Sequence, residues 1–317
     1  MKQIVILSGK GGTGKTSLTA ALAHNASDLH KLVLADADVD AANLEILLKP
    51  AQMEEFSFIG GYKAQIDNDK CTGCGRCYDV CRFSAVIPPD SPDNRYSIDR
   101  IACEGCNSCV YQCPVNAVSS TRTIAGTWFV SQSVYGTLYH AEMKAGEENS
   151  GKLVTTVKNA AISKSSTIED SILLVDGPPG IGCPVIAACA GADLAVISTE
   201  PGVSAIHDLE RILETVRHFG ITPAVCVNRS DINPVKTSEI EAFCEQDSIP
   251  LLGRIPYDPN VTRSMSKGLP VNAFDPSSPA SVAISGIWEV IYSLIRESSN
   301  ASGSNPTGSP AEKEKNR

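Results

Sequence analysis

Apolar residues arrive along this chain in short continuous runs, separated by stretches in which they recur every three or four positions. Gln3–Ser8 is one such run and ends at a glycine-rich turn; Gly14–Asn25 follows with helical character, and Leu32–Ala35 is a second run. Continuous runs of about four to six apolar residues fit strands buried on both faces of a parallel sheet. Strand, helix, strand within about 35 residues is a βαβ unit. The rhythm stops near Pro50. It resumes with strands predicted at Ile172–Val175, Leu194–Ser198, Ala224–Val227 and Leu251–Ile255. Helices are predicted at Val203–Phe219, near Pro234–Gln246 and from Pro279 to Glu297. The expected fold is α/β: a mostly parallel, twisted sheet with helices on both faces and a ligand site at the carboxyl ends of the strands.

The interruption has a different character. From Phe56 to Val118 the chain holds eight cysteines, short strand-like pieces at Tyr62–Ile66 and Arg95–Ile98, the loop Pro88–Pro92, and no amphipathic helix of core length. It reads as an inserted α+β module. The expected organisation is residues 1–55 and 121–297 for the α/β domain, 56–120 for the insertion, and 298–317 for a disordered tail of Ser, Gly, Pro, Glu and Lys.

Composition narrows the chemistry. The net charge of −9 and the pI near 5.1 argue against a nucleic-acid partner, whose phosphates select clustered Lys and Arg. No apolar run reaches the roughly 18 residues that span a bilayer, and the N-terminus is apolar for only four residues before the glycines, unlike a signal peptide. The expected setting is the reducing cytoplasm, where structural disulfides are rare. The twelve cysteines then need another explanation, and the tight grouping of eight of them points to metal.

Gly9-Lys10-Gly11-Gly12-Thr13-Gly14-Lys15-Thr16 fits a phosphate-binding P-loop, between a strand and a helix as that motif requires. Gly9, Gly11, Gly12, Thr13, Gly14, Lys15, Thr16 and Ser17 form the candidate nucleotide-binding segment. Backbone N–H groups and the helix N-terminus face the phosphates. Lys15 neutralises charge, and Thr16 offers its hydroxyl to Mg²⁺. Ala35-Asp36-Ala37-Asp38-Val39-Asp40 and Leu173-Leu174-Val175-Asp176-Gly177-Pro178-Pro179-Gly180 each end an apolar strand in carboxylate. Such positions suit water orientation and metal contact.

Lys10-Gly11-Gly12-Thr13-Gly14-Lys15-Thr16 resembles the deviant Walker A motif of MinD, ParA, the nitrogenase iron protein and the Mrp-type iron–sulfur carriers. The resemblance implies an ATP-dependent homodimer in which Lys10 reaches the partner's ATP. It implies Asp38 as the switch I residue that orients the attacking water, with Asp36 and Asp40 as alternatives, and Asp176 as the switch II residue that holds Mg²⁺ through water. Val227-Asn228-Arg229 and Ile255-Pro256-Tyr257-Asp258 are similar to that class's adenine-contacting segments, which makes Asn228 a base-binding candidate. Without the full Asn-Lys-x-Asp of GTPases, ATP is the expected nucleotide.

Cys71, Cys74, Cys77 and Cys81 follow the spacing C-x-x-C-x-x-C-x-x-x-C, and Cys103, Cys106, Cys109 and Cys113 repeat it, with Pro114 after the last. This is the bacterial two-cluster ferredoxin spacing, in which three near cysteines hold one cluster and the fourth crosses to the other. Two 4Fe-4S clusters are expected, one on Cys71, Cys74, Cys77 and Cys113 and the other on Cys103, Cys106, Cys109 and Cys81. Arg82 stands where the rule wants a second proline. Zinc is the competing reading. Cys226 and Cys244 read as a core and a helix residue. Cys183 and Cys189 follow switch II, where the nitrogenase iron protein places a bridging-cluster ligand.

The resemblance extends through Gly136–Ala141 and Glu148–Val154 to the MinD-superfamily ATPases that contain an inserted ferredoxin. It implies ATP hydrolysis coupled to electron transfer or metallocluster assembly on a redox or cluster-accepting protein. An ATP-gated, non-redox iron–sulfur carrier is the alternative. A MinD-like spatial organiser is disfavoured by the polar residues after Glu297, which offer no stable membrane anchor.

Overall fold

The computed structural model describes residues 1–91, 95–147 and 149–302, with backbone only for 298–302. The first part of the chain forms β1 (Lys2–Ser8), α1 (Lys15–Ser27), β2 (Leu32–Asp36), α2 (Leu44–Leu48) and β3 (Ala51–Ile66). Short elements follow: α3 (Arg76–Asp79), β4 (Val86–Ile87), β5 (Ser97–Ile98) and α4 (Ser108–Gln112). Then come β6 (Val118–Gln132), β7 (Thr137–Met143), α5 (Ser150–Ser166), β8 (Ile172–Pro179), α6 (Cys183–Cys189) and β9 (Leu194–Thr199). The last part holds α7 (Ala205–His218), β10 (Thr222–Asn228), α8 (Pro234–Gln246), β11 (Leu251–Ile255), α9 (Pro259–Lys267), α10 (Val271–Phe274) and α11 (Pro279–Ser302).

Among the described residues one nine-stranded sheet has the order β11-β10-β9-β1-β8-β2-β7-β6-β3. The strands from β11 to β7 pair in parallel, and β6 and β3 add on antiparallel. Successive strand residues face opposite sides of a sheet. Val5 and Leu7 accordingly join a core with Leu153, Val157, Leu209 and Ile212 from α5 and α7. Ile4 and Ile6 join the opposite core with Leu18, Leu22, Ile287 and Ile291 from α1 and α11. Lys158 of α5 is buried among apolar neighbours. Its Nζ donates to the carbonyls of Ala188 and Ala190 at the end of α6, at 2.5 Å each, and burial pushes its pKa down to about 8.

The expected division of the chain meets its main surprise at the insertion. β3 and β6 are single long strands that run from the sheet into the cysteine-rich segment, paired from Ala51↔Gln132 to Ile66↔Val118. They cross both expected boundaries, near 55 and 120. β7 pairs with β6 only from Gly126 onward, so residues 59–66 and 118–125 project as a two-stranded ribbon. Phe56 and Trp128 stack at its base, ring centroids 4.1 Å apart. The strand-like piece Arg95–Ile98 shortens to Ser97–Ile98, which pairs with β4. α11 runs on to Ser302 where the tail was expected from Ser298; the rest of the tail, 303–317, lies outside the described residues. Among the described residues no helix is long and apolar enough to cross a membrane.

Leu174 of β8 is wholly buried in the α1–α11 core. Leu174→Ala is expected to cost about 3 kcal/mol of folding stability, the usual range for a buried leucine, as read by urea denaturation.

Candidate functional site

The loop after β1 wraps a cavity of about 730 Å³ at the carboxyl ends of the strands. Gly11, Gly12, Gly14, Lys15, Thr16 and Ser17 line it, together with Asp38, Asp40, Asn228, Arg229 and Pro256–Asp258. Gly14 caps α1 with a left-handed φ of 85°, and a Cβ there would lie 2.4 Å from the Asn228 amide nitrogen. No residue but glycine suits that position. Thr13 is buried beneath the loop, its carbonyl held by Ser198 Oγ and Asn228 Nδ2, both at 2.9 Å. Asn228 thus reaches the cavity wall as expected, but its amide anchors the loop, and its Oδ1 accepts from the N–H of Arg229 at 2.9 Å.

Lys15 is buried, and its Nζ donates to Ser8 Oγ at 3.0 Å. Burial lowers its pKa, against the opposing pull of Asp176, Asp38 and Asp36. Asp36 and Asp176 are register partners on β2 and β8 and are both inaccessible to solvent. Burial first, then the neighbouring Asp176, holds Asp36 well above the usual carboxylate range. Asp36 accepts from the N–H groups of Asp38 (3.1 Å), Asn43 (3.1 Å) and Leu44 (3.0 Å). It therefore ties down the whole segment from Asp38 to the start of α2. This role was invisible in the sequence, where Asp36, Asp38 and Asp40 look equivalent. Asp38 lines the cavity, and burial raises its pKa while Lys15 lowers it.

Asp176 lies under the cavity floor. Its Oδ1 accepts from Thr19 Oγ1 at 2.9 Å, while Oδ2 is buried with no hydrogen-bond partner. Burial pushes its pKa up to about 6, the hydroxyls of Thr16 and Thr19 working against that. A fully buried, half-satisfied carboxylate beside a threonine hydroxyl is a costly arrangement that a divalent cation would relieve. Thr16 and Asp176 therefore fit Mg²⁺. Gly9 and Lys10 lie outside the cavity lining. A Cβ at Gly202, half-buried in the loop after β9, would lie 3.3 Å from Lys10 Nζ.

The ribbon carries the eight clustered cysteines. Cys71, Cys74, Cys77 and Cys113 line one void, and Cys81, Cys103, Cys106 and Cys109 line another. Each void draws three cysteines from one run and the fourth from the other. Backbone geometry repeats with the sequence at an offset of 32 residues (103 − 71): Gly73 and Gly105, Gly75 and Asn107, and Ser84 and Asn116 all have positive φ. Buried Ala85 and Ala117 follow, then the starts of β4 and β6. N–H groups point at sulfur from Gly73 to Cys71 (3.4 Å), Ala64 to Cys103 (3.5 Å) and Ala117 to Cys113 (3.2 Å). Burial raises the thiol of Cys77, helped by Cys71 and Cys74, and that of Cys109, helped by Cys103, Cys106 and Cys81. Among the described residues no three Cys, His, Asp or Glu side chains converge as ligands of a single metal ion.

Cys183 and Cys189, which both follow switch II, differ in burial. Cys183 is exposed, whereas Cys189 is wholly buried and its thiol is pushed up to about 11 by burial. The two face different surroundings and cannot present one ligand surface. Cys226 and Cys244 are core residues, pushed by burial to about 12 and about 11.

Residues 4–271 match the CobQ/CobB/MinD/ParA nucleotide binding domain, and the chain belongs to that family. It is a nucleotide-binding protein of the MinD/ParA class of P-loop ATPases. An uncharacterized protein of Methanocaldococcus jannaschii is 30% identical over 296 residues, covering 92% of this chain and 97% of the relative. An uncharacterized ATP-binding protein of the same organism is 26% identical over 301 residues, 92% and 87% of the two chains. Among solved structures, the septum site-determining protein MinD of Pyrococcus horikoshii, complexed with Mg-ADP, superposes with a TM-score of 0.57 at 19% identity, over 93% of this chain and 97% of that one.

The raised pKa of Asp176 makes a signed prediction. The unfolded chain releases this proton near the ordinary value of 3.8, the folded apo-protein only near 6. Folding stability falls as pH rises through that window, by roughly 2–3 kcal/mol at about 1.4 kcal/mol per unit. Asp176→Asn should therefore be more stable than wild type above pH 6 without nucleotide, the gap closing towards pH 4, while losing Mg²⁺-dependent nucleotide binding. Urea denaturation across pH and nucleotide titration measure both. An Asn variant less stable than wild type at pH 7.5 contradicts the placement.

Proposed function

We propose that the chain is an iron–sulfur ATPase: an inserted two-cluster ferredoxin, mounted on a nucleotide-driven dimer, coupled to electron transfer or metallocluster assembly on a partner protein. The observation that carries this reading is the crossed grouping of the cysteines around two voids. The offset of 32 residues brings equivalent backbone to each void, and small residues and N–H groups approach the sulfurs, as thiolates ligating a cluster require. Zinc takes four thiolates onto one ion at about 2.3 Å, whereas two C-x-x-C-x-x-C-x-x-x-C runs with a crossed fourth cysteine follow the two-cluster ferredoxin pattern. A four-iron cluster held there supplies one-electron storage. The cysteines bind it, and the surrounding apolar residues Ile66, Val86, Ile98 and Val118 limit water.

At the other site, Lys15 and the loop N–H groups hold phosphates, Thr16 and Asp176 hold Mg²⁺, and Asp38 orients water for attack on the terminal phosphate. Lys10 lies outside the lining of its own cavity, beside Gly202 in the loop after β9, which supports a role across a homodimer rather than within one chain. The carrier reading differs in whether the clusters leave the protein. The likeness to MinD favours a spatial organiser as a second reading.

Anaerobically purified protein should contain about eight irons and eight sulfides per chain. Cys74→Ala should lose half of that iron and keep nucleotide binding. Stoichiometric zinc with no visible absorbance sinks the reading. Lys15→Ala should abolish ATP binding. Lys10→Ala should bind ATP yet neither dimerise nor hydrolyse it, and Asp38→Ala should accumulate an ATP-bound dimer, as light scattering and phosphate release report. Wild-type hydrolysis by Lys10→Ala excludes the trans role.

A further inference from the structure

Lys63 is a buried cation on the module side of the ribbon, 7% exposed. Its Nζ donates to the carbonyl of Cys103 at 2.9 Å, and the next residue's N–H, from Ala64, points at Cys103 Sγ. Gly105 packs so closely on this stretch that a Cβ would lie 2.1 Å from the carbonyl oxygen of Tyr62. The second cysteine run is thus seated directly on β3. At the equivalent point of the first run the carbonyl of Cys71 also accepts from a cation, Arg95 Nε at 3.2 Å, but that contact is exposed. Water screens the arginine, while a cation in a low-dielectric interior acts on its neighbours several times more strongly. The two four-cysteine sites, nearly equivalent in backbone, are electrostatically unequal.

Lys63 also has a counter-charge on the other side. Glu147, in the loop between β7 and α5, lies 3.8 Å away. The same loop meets the module at Gly146, close to Ile101, and at Asn149, whose amide lies against Gly61. Two residues on, in the first turn of α5, a Cβ at Gly151 would come 3.3 Å from the backbone and side chain of Cys183. Cys183 opens α6, seven residues after Asp176 of β8. A short stretch of chain therefore touches the segment behind the Mg²⁺ carboxylate with one end and the neighbourhood of Lys63 with the other. It gives a physical role to Ser150-Gly151-Lys152, the first turn of α5.

We propose that Lys63 sets the reduction potential of the site formed by Cys81, Cys103, Cys106 and Cys109, and that the start of α5 makes this setting depend on the nucleotide. The proposal rests on the cluster reading above. Lys63 stabilises the reduced, more negative state of its site, so that site is the first of the two to accept an electron. A shift of the segment after Asp176 moves Gly151 and the Glu147 end of the loop, and the balance between Lys63 and Glu147 changes with it. Linkage makes the effect reciprocal: reduction of that site alters ATP affinity by the same factor.

The test is a stepwise anaerobic reduction of the whole, iron-loaded protein with dithionite, each site taking one electron, followed by visible absorbance and electron paramagnetic resonance. It is run with MgADP and, in an Asp38→Ala background, with MgATP. In Lys63→Met the more positive couple should fall about tenfold in its reduction equilibrium, about 59 mV for one electron. The other couple should move far less. The difference between the nucleotide states should vanish with it, Lys63→Arg should restore both, and basal ATP hydrolysis should not change. A Lys63→Met protein with full iron and an unmoved couple overturns the proposal, and so does an equal shift of both couples. If Lys63→Met loses iron, Glu147→Gln decides. It leaves the bond to Cys103 in place and should raise the same couple in the ADP state; no movement there overturns the proposal too. Wild-type protein without iron or sulfide is a different failure, that of the cluster reading itself.

Discussion

Two carboxylates stand side by side at the ends of β2 and β8, cut off from water, and much of the molecule is organised around that unfavourable contact. Parallel strands in register bring Asp36 and Asp176 together because the sheet leaves them no other place. Asp36 spends its lone pairs on the backbone from Asp38 to Leu44. Asp176 keeps one oxygen unspent beneath the phosphate loop. The cost of burying these carboxylates is only partly met, by Lys15 and two threonine hydroxyls. A site built this way gains from each positive charge that arrives, which is the property a Mg²⁺–nucleotide site needs.

How much of this was legible in the sequence depends on whether the signal was local. The apolar runs at β1, β2, β8 and β9 read correctly because parallel strands buried on both faces have no alternation to obscure them, and those at β10 and β11 are strands as expected. The phosphate loop read correctly because its chemistry lies in spacing, and the two cysteine runs come together around two voids. β3 did not read as one strand. It is the outer strand of the sheet, mostly exposed along Ala51–Phe56 and kinked by register shifts between Phe58 and Gly61, so Glu54, Glu55, Gly60 and Gly61 suggested loop. α5 was hidden by its Thr, Ser, Asn and Lys content, although Leu153, Val154, Val157 and Ala161 form a buried stripe. The work of Asp36, Ser198 and Lys158 depends on partners far away in the chain, and no local pattern announces it.

The ribbon changes what an inserted module means here. A domain on a flexible linker reports little to its host, because linker entropy absorbs small displacements. In this chain the cysteine-rich segment shares hydrogen bonds with the main sheet: β3 leaves α2 after two residues, and β6 pairs with β7 before leading to α5. α2 begins at the nucleotide cavity behind Asp38, and α5 begins against Cys183 at the start of α6. The cysteine-bearing end is thus an extension of the sheet, held at two edges.

Among the described residues, β3 ends the sheet with no strand on its outer side. Away from Tyr62–Ala64, where the second cysteine run sits, that side offers backbone groups that another chain's strand could pair with, the usual route to edge-to-edge aggregation. The register shifts near Ile59 break its regularity, and Glu54 and Glu55 place like charges where an incoming copy would set its own. Features that make β3 look unlike a strand are the ones that keep it from recruiting a tenth.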